Sequence, residues 1–327
     1  MNDRRAPGVE DLPHAPQLPE FDPDDPVESA VIGGLVRSWP HRATVRRSEP
    51  DLDEVFESAK ADFAEELIPF RDHPVYLGLD ESTRDCIRAW AWIAYNKNVV
   101  DIEQHVVNPG FQLLLEDSLR TGLGDTARSS VVQAMVDEQY HTLMHLNASA
   151  LTRRRRPWRL TERTLPVSLT VRRRRDAVAR QEDPRSAALV TLAFTTVAET
   201  SIGAYLGLIA DDETVQPVNK ATVALHRRDE RAHAAVTSEL VALVYDRLRP
   251  DDRRILLAGM ADGVAAFTAA DYAVWSAILA TVGVVGADEM LREVAEGPGD
   301  GRLVQDCSAI DRLRAQLEGR NGPRAAP

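Results

Sequence analysis

The stretch Asp137-Glu138-Gln139-Tyr140-His141 recurs as Asp229-Glu230-Arg231-Ala232-His233, and each copy lies inside a long run of helical periodicity. At about 100° per residue, the Glu and His of one copy sit about 60° apart on one helix face, so each pair can grip a metal ion from one side. Two such pairs make half of a two-metal site. The other half needs a lone carboxylate from each of two further helices. Glu103 and Glu199 stand in segments placed to supply them.

Reading outward, the motif helices are expected over about 125–151 and 216–248, and the Glu199 helix over about 184–211. The Glu103 helix starts near Ser82 and runs through Trp90, Trp92, Ile93, Val99, Val100 and Ile102 to about Val107, where Asn108-Pro109-Gly110 is expected to break or kink it. Upstream, Val55, Phe56, Ala59, Phe63 and Leu67 behind an acidic first turn predict a helix over 52–67. Downstream, helices are expected over about 253–269, 271–279, 287–295 and 309–317. Residues 164–171 are the one alternating run of note. There is no heptad run, solenoid repeat or Gly-rich phosphate loop. The expectation is an all-α fold, a ferritin-like four-helix bundle with additional N- and C-terminal helices, forming one domain over 27–320. A Pro- and Asp-rich disordered tail is expected over 1–26 and a flexible C-terminus over 321–327.

A formal net charge of -12 argues against a nucleic-acid binder that works through its general field. The two cysteines, Cys86 and Cys307, have no partner spacing, which fits a reducing compartment and excludes a thiolate metal site. The polar N-terminus lacks the apolar core of a signal peptide, so a cytoplasmic protein is expected. The one candidate membrane span is 187–210, in which Glu199 is the sole charge. Thr191, Thr195, Thr196, Thr200 and Ser201 dilute it, and a helix buried inside the bundle is expected instead.

An ionised Glu199 in so apolar a helix costs several kcal/mol, on the order of a lost buried ion pair, unless a metal, an arginine or a proton compensates it. His226 precedes Glu230 by four residues and His233 by seven, so all three share a face. His145 has a similar register to His141 and is placed behind the ligands. His105 points roughly 200° from Glu103 and is left out. Asp137 and Asp229 are the natural acceptors for the far N–H of the imidazoles, on their own helix or crosswise. Four carboxylates and three imidazoles suit iron or manganese better than zinc, and two irons are expected because iron binds and reduces O2.

With Glu103, Glu138-x-x-His141, Glu199, His226 and Glu230-x-x-His233 in this order, the chain resembles the p-aminobenzoate N-oxygenase (AurF-like) family of diiron arylamine oxygenases over about 82–248. The resemblance implies that these seven residues are the iron ligands, His226 being the histidine that sets the family apart. It implies an O2-dependent monooxygenase carrying an arylamine through hydroxylamine and nitroso stages to a nitro compound in antibiotic biosynthesis. Tyr95, two turns before Glu103, becomes a pocket candidate. Asn98 stands where an aryl carboxylate would favour arginine, so a larger or neutral arylamine is expected. Apolar walls are expected from Trp90, Phe194, Leu206 and Phe267. No flavin or iron-sulfur motif is present, so a reductase or other external electron donor is implied. A C–H hydroxylase or desaturase uses much the same ligands without His226, and an iron store is the third reading.

Residues 153–180 hold eleven arginines against Glu162 and Asp176, eleven minus two giving +9 in an acidic chain. Two accounts stand: neutralisation of acidic surface or of a homodimer partner, and a docking face for an acidic carrier protein or reductase.

Overall fold

Several helix starts are written directly into the chain: Asp80, Asp183 and Asp271 accept the N–H groups of Thr83, Ser186 and Ala273, satisfying donors that a first turn leaves unpaired. The computed structural model describes residues 30–47, 55–297, 304 and 306–320. The tail over 1–26 and the C-terminus over 321–327 therefore lie outside the described residues. The elements are α1 (Ala30–Arg42), a short α2 (Pro74–Leu77), α3 (Glu81–Ile102), α4 (Asn108–Leu115), α5 (Asp125–Arg155), α6 (Leu169–Ala179), α7 (Pro184–Ala210), α8 (Pro217–Arg247), α9 (Pro250–Thr268), α10 (Tyr272–Val282), α11 (Ala287–Glu296) and α12 (Ser308–Gly319).

The bundle is built from α3, α5, α7 and α8. α3 packs on α5, α5 on α8 and α8 on α7, while α9 covers the far side of α7. α1 crosses α5 and α8; α6 lies on α7 and α9, and α12 closes against α7 and α8. Among the described residues there is no strand, only a single parallel bridge between Ala61 and Val215. This is an all-α, ferritin-like fold with helices added at both ends. α7 is the one described helix long and apolar enough to cross a membrane, and it lies buried at the centre of the bundle. Gly259 of α9 allows the close approach there, since a Cβ at that position would come 2.9 Å from the Ala193 methyl.

Three expectations change. Described residues 55–67 form turns and a 3₁₀ turn at Glu65–Leu67, not a helix. Their carbonyls are taken from outside: Arg156 donates to Ser58 and Lys60, Gln216 to Glu57 and Lys60, and Asn219 to Asp62. Tertiary hydrogen bonds replace the helical ladder. The alternating run 164–171 holds no strand, only the end of a 3₁₀ turn and the start of α6. Finally, Asn108-Pro109-Gly110 does not break the helix. A π segment, Glu103–Val107, bridges α3 and α4 without interruption, with Asn108 N–H donating to Glu103 O. This wider register passes the missing Pro109 N–H, and Thr195 Oγ1–H donates to Val106 O at 2.7 Å from the facing helix. That contact requires Gly110, where a Cβ would fall 2.0 Å from Thr195 Oγ1.

Candidate metal centre

The π segment begins at Glu103, so the widened turn lies where that carboxylate enters the core. Glu138 and His141 come from the middle of α5, Glu199 from α7, and His226, Glu230 and His233 from α8. All seven are buried. Their donor atoms form two groups, each with its atoms within 4.8 Å of one another: Glu103, Glu138, His141, His226 and Glu230, and Glu138, Glu199, Glu230 and His233. Glu138 and Glu230 belong to both. Each group could hold a metal ion. The structure thus brings together every residue singled out around the doubled motif.

The outer hydrogen bonds are crosswise. His233 of α8 donates Nε2–H to Asp137 of α5 at 3.1 Å, and His141 of α5 points Nε2 at Asp229 of α8 at 3.4 Å. The N-terminal segment clamps both aspartates. Trp39 Nε1–H donates to both Asp137 oxygens at 3.0 Å, and Thr44 N–H donates to Asp229 Oδ2 at 3.1 Å. With Nε2 committed outward, Nδ1 of each imidazole faces the cage. His233 Nδ1 lies 2.7 Å from Glu138 Oε1, and His141 Nδ1 lies 3.1 Å from Glu138 Oε2.

A cation fits this cage on electrostatic grounds. Glu103 Oε2, Glu138 Oε1, Glu199 Oε2, Glu230 Oε2 and His233 Nδ1 are buried and make no hydrogen bond with aligned geometry, although Glu138 Oε1 and His233 Nδ1 are nearly in contact. Unmatched buried carboxylate oxygens are costly, and metal coordination is a partner that accepts several of them at once. Burial and then the Glu138 charge push the Glu103 and Glu199 carboxyls well above the usual range. Burial lowers the His141 and His233 imidazoles, but the surrounding carboxylates outweigh it and hold both well above the ordinary histidine value. Protons gather where cations are wanted.

His226 is backed differently. Its Nδ1 lies 2.9 Å from His145 Nε2, and its Nε2 lies 3.0 Å from Glu230 Oε1 and 3.5 Å from Glu103 Oε1. His145 continues outward to Asn96 Oδ1 at 2.7 Å. Sequence reasoning missed Trp39, Thr44 and Asn96. Asn96 had a readable signal, for it precedes Glu103 by seven residues and so shares its face. Trp39 and Thr44 had none, being far in sequence and outside any motif.

A cavity of about 950 Å³ opens beside α3 and α7. Tyr95, Asn98 and Phe267 line it, with Phe63, Tyr205 and Trp275. Tyr95 stacks on Tyr205 at 4.7 Å and lies 6.4 Å from the His145 ring, so one aromatic layer separates the cavity from the imidazoles behind the cage. Tyr95 Oη is buried without a hydrogen-bond partner. Asn98 donates to Tyr205 Oη at 3.1 Å and accepts from Ser168 Oγ at 2.6 Å. Phe194 and Leu206, expected as walls, do not line this cavity, nor does Trp90. The reason is helical phase. On α7 the cavity sees Tyr205 and Leu208, whereas Phe194 lies under Gly263 of α9 and Leu206 is turned about 100° from Tyr205.

Four of the eleven arginines of this connection pair with the protein's own acids: Arg153 with Glu162, Arg156 with Asp62, Arg172 with Asp271 and Arg180 with Asp262.

Four helices converging on a buried cage of carboxylates and imidazoles define a ferritin-like protein with a core able to hold metal. Residues 25–317 match the family described as p-aminobenzoate N-oxygenase AurF, and the chain belongs to that family. A relative from Streptomyces thioluteus, 4-aminobenzoate N-oxygenase, is 34% identical over 297 residues, covering 90% of this chain and 88% of the relative.

Proposed function

We propose that this chain is a diiron arylamine N-oxygenase that converts an arylamine through hydroxylamine and nitroso stages to a nitro compound in antibiotic biosynthesis. In the first step the amine, O2, two electrons and two protons give the hydroxylamine and water. The observation that carries the reading is the third imidazole, His226, standing with the doubled motif in one cage. Glu103, His141 and His226 are assigned to one iron and Glu199 and His233 to the other, with Glu138 and Glu230 shared. Bound there, the irons would supply O2 binding, its reduction and Lewis acidity, and the amine would supply the nitrogen lone pair.

The remaining work falls to the protein. Asp137 and Asp229 hold the Nε2 protons outward, so that His233 and His141 present Nδ1 lone pairs. Burial of all seven ligands excludes water. The cavity takes the ring against Tyr205 and Phe267, with the Tyr95 side chain in its wall and the Tyr95 hydroxyl buried without a partner. Lys97 is held by Asp101 at 2.5 Å and His73 by Glu293 at 3.1 Å, so the basic side chains lining the cavity are already paired. A neutral amine bulkier than p-aminobenzoate suits such a space better than a free benzoate. Electrons come from an external reductase or other donor in the cytoplasm. An acidic carrier protein is a further partner of this reading. So is a second copy of the chain: α5 exposes Val132, Val136, Leu143 and Leu146 along one stripe, which supports a homodimer.

The test is single turnover of the iron-loaded, reduced protein under ¹⁸O2 with a panel of aryl and alkyl amines. Label on nitrogen is the expected result. Label on carbon with no N-oxygenated product would move the chain to the C–H hydroxylases or desaturases.

A further inference from the structure

Behind His226 runs a chain of buried hydrogen bonds whose direction can be worked out from its outer end. The Trp92 carbonyl can only accept, so Asn96 Nδ2–H donates to it at 2.7 Å and Asn96 Oδ1 is turned toward His145. Oδ1 in turn can only accept, which puts the His145 proton on Nδ1 at 2.7 Å. A neutral His145 then has a lone pair on Nε2, and this receives His226 Nδ1–H at 2.9 Å. The His226 lone pair is left on Nε2, facing Glu230 and Glu103.

We propose that Asn96 and His145 are positioning residues, a one-way relay that fixes His226 as the Nδ1–H tautomer and delivers its Nε2 lone pair to the metal beside Glu103. The proposal rests on the reading of His226 as a ligand. All three residues are buried. With His226 ligating through Nε2, its ring proton stands on Nδ1, and His145 Nε2 at 2.9 Å is the acceptor that receives it. His226 thus ligates through the opposite nitrogen from His141 and His233, and is oriented without any negative charge.

Two readouts that do not depend on turnover test this. In zinc-loaded protein labelled with ¹⁵N at histidine, long-range ¹H–¹⁵N spectra should place the His226 proton on Nδ1; a proton on Nε2, or a non-ligating His226, overturns the relay. In chelator competition, Asn96→Leu and His145→Leu should weaken iron binding about 10–100-fold at one of two sites, whereas His145→Gln, which keeps an acceptor toward His226, should stay within a few-fold of the parent. Equal loss in the Gln and Leu variants would make the role one of packing and overturn the proposal. The spectrum of the unsubstituted chain decides even if a variant fails to fold. A parent chain that binds neither iron nor zinc removes the ligand reading and the relay together, while full iron affinity in both Leu variants removes the relay alone.

Discussion

The two sides of the cage solve one problem with different chemistry. Toward the N-terminal segment, two imidazoles are backed by aspartates, each held by a donor from residues 39–44. Toward the cavity, the third imidazole is backed by a neutral histidine and an amide. Charge is affordable on the first side because Arg42, Trp39 and Thr44 surround it. The second side adjoins the stacked Tyr95 and Tyr205 rings, where an unmatched carboxylate would be costly. The difference shows that ligand orientation and ligand charge can be set independently. Two ligands are made more basic by anions, and one is aimed without that push.

The largest effect should come from breaking what both sides share. Glu138→Ala or Glu230→Ala removes a carboxylate common to both groups, so metal analysis should find iron falling from two per chain toward none. Unchanged iron in both variants would end the metal assignment.

The comparison itself sharpens with Asp137→Asn, which keeps an acceptor for His233 but takes away the charge. Iron affinity on the Glu199 side should fall about tenfold, and Asp137→Leu should lose roughly 100-fold, by chelator competition. If Asn and Leu behave alike, charge rather than orientation is what the aspartates supply.

The two sides also differ in how far they could be read from sequence. The aspartates sit inside the repeated motif beside the ligand Glu, and since a ligating imidazole gives its far N–H to a carboxylate they stood out as acceptors, though not whether they serve their own helix or the other. That choice depends on how α5 and α8 cross, which a single helix's periodicity does not contain. The neutral side was half-legible through His145, four residues after His141. The clamp was invisible, because Trp39 and Thr44 reach the site only through the packing of α1. The same limit explains residues 55–67, whose apolar spacing is helical but whose carbonyls are claimed by Arg156, Gln216 and Asn219. Cavity walls fared unevenly: Tyr95, Asn98 and Phe267 line it, while Phe194 and Leu206 belong to the core, since an all-round apolar helix such as α7 gives no phase from which to read its faces.

On the cavity side, Tyr95→Phe deletes a hydroxyl that has no partner within the protein. Stability should change little. KM for an amine carrying a polar ring substituent should rise about 2- to 10-fold, the value of one hydrogen bond, with kcat and iron content unchanged. A KM that does not move for any such amine would show that the hydroxyl takes no part in substrate binding.

The smallest effects should come from the clamp, and they should be one-sided. Trp39→Phe removes the N–H from Asp137 but leaves His233 and Arg42 near it. Thr44→Pro removes the N–H from Asp229. Proline is compatible there because Thr44 opens a 3₁₀ turn and Ala43 before it is extended, with φ -61° and ψ 135°. Thr44→Ala controls for the hydroxyl, which accepts from Arg228. Since Asp137 serves His233 and Asp229 serves His141, Trp39→Phe should weaken iron a few-fold on the Glu199 side only. Thr44→Pro should do so on the Glu103 side only. Each should also loosen the N-terminal segment, lowering stability by about 1–2 kcal/mol for one lost charge-assisted hydrogen bond, as denaturant unfolding would measure. Two-step iron titrations that show both variants weakening the same site to the same degree would refute the crosswise pairing, because the two donors touch different aspartates.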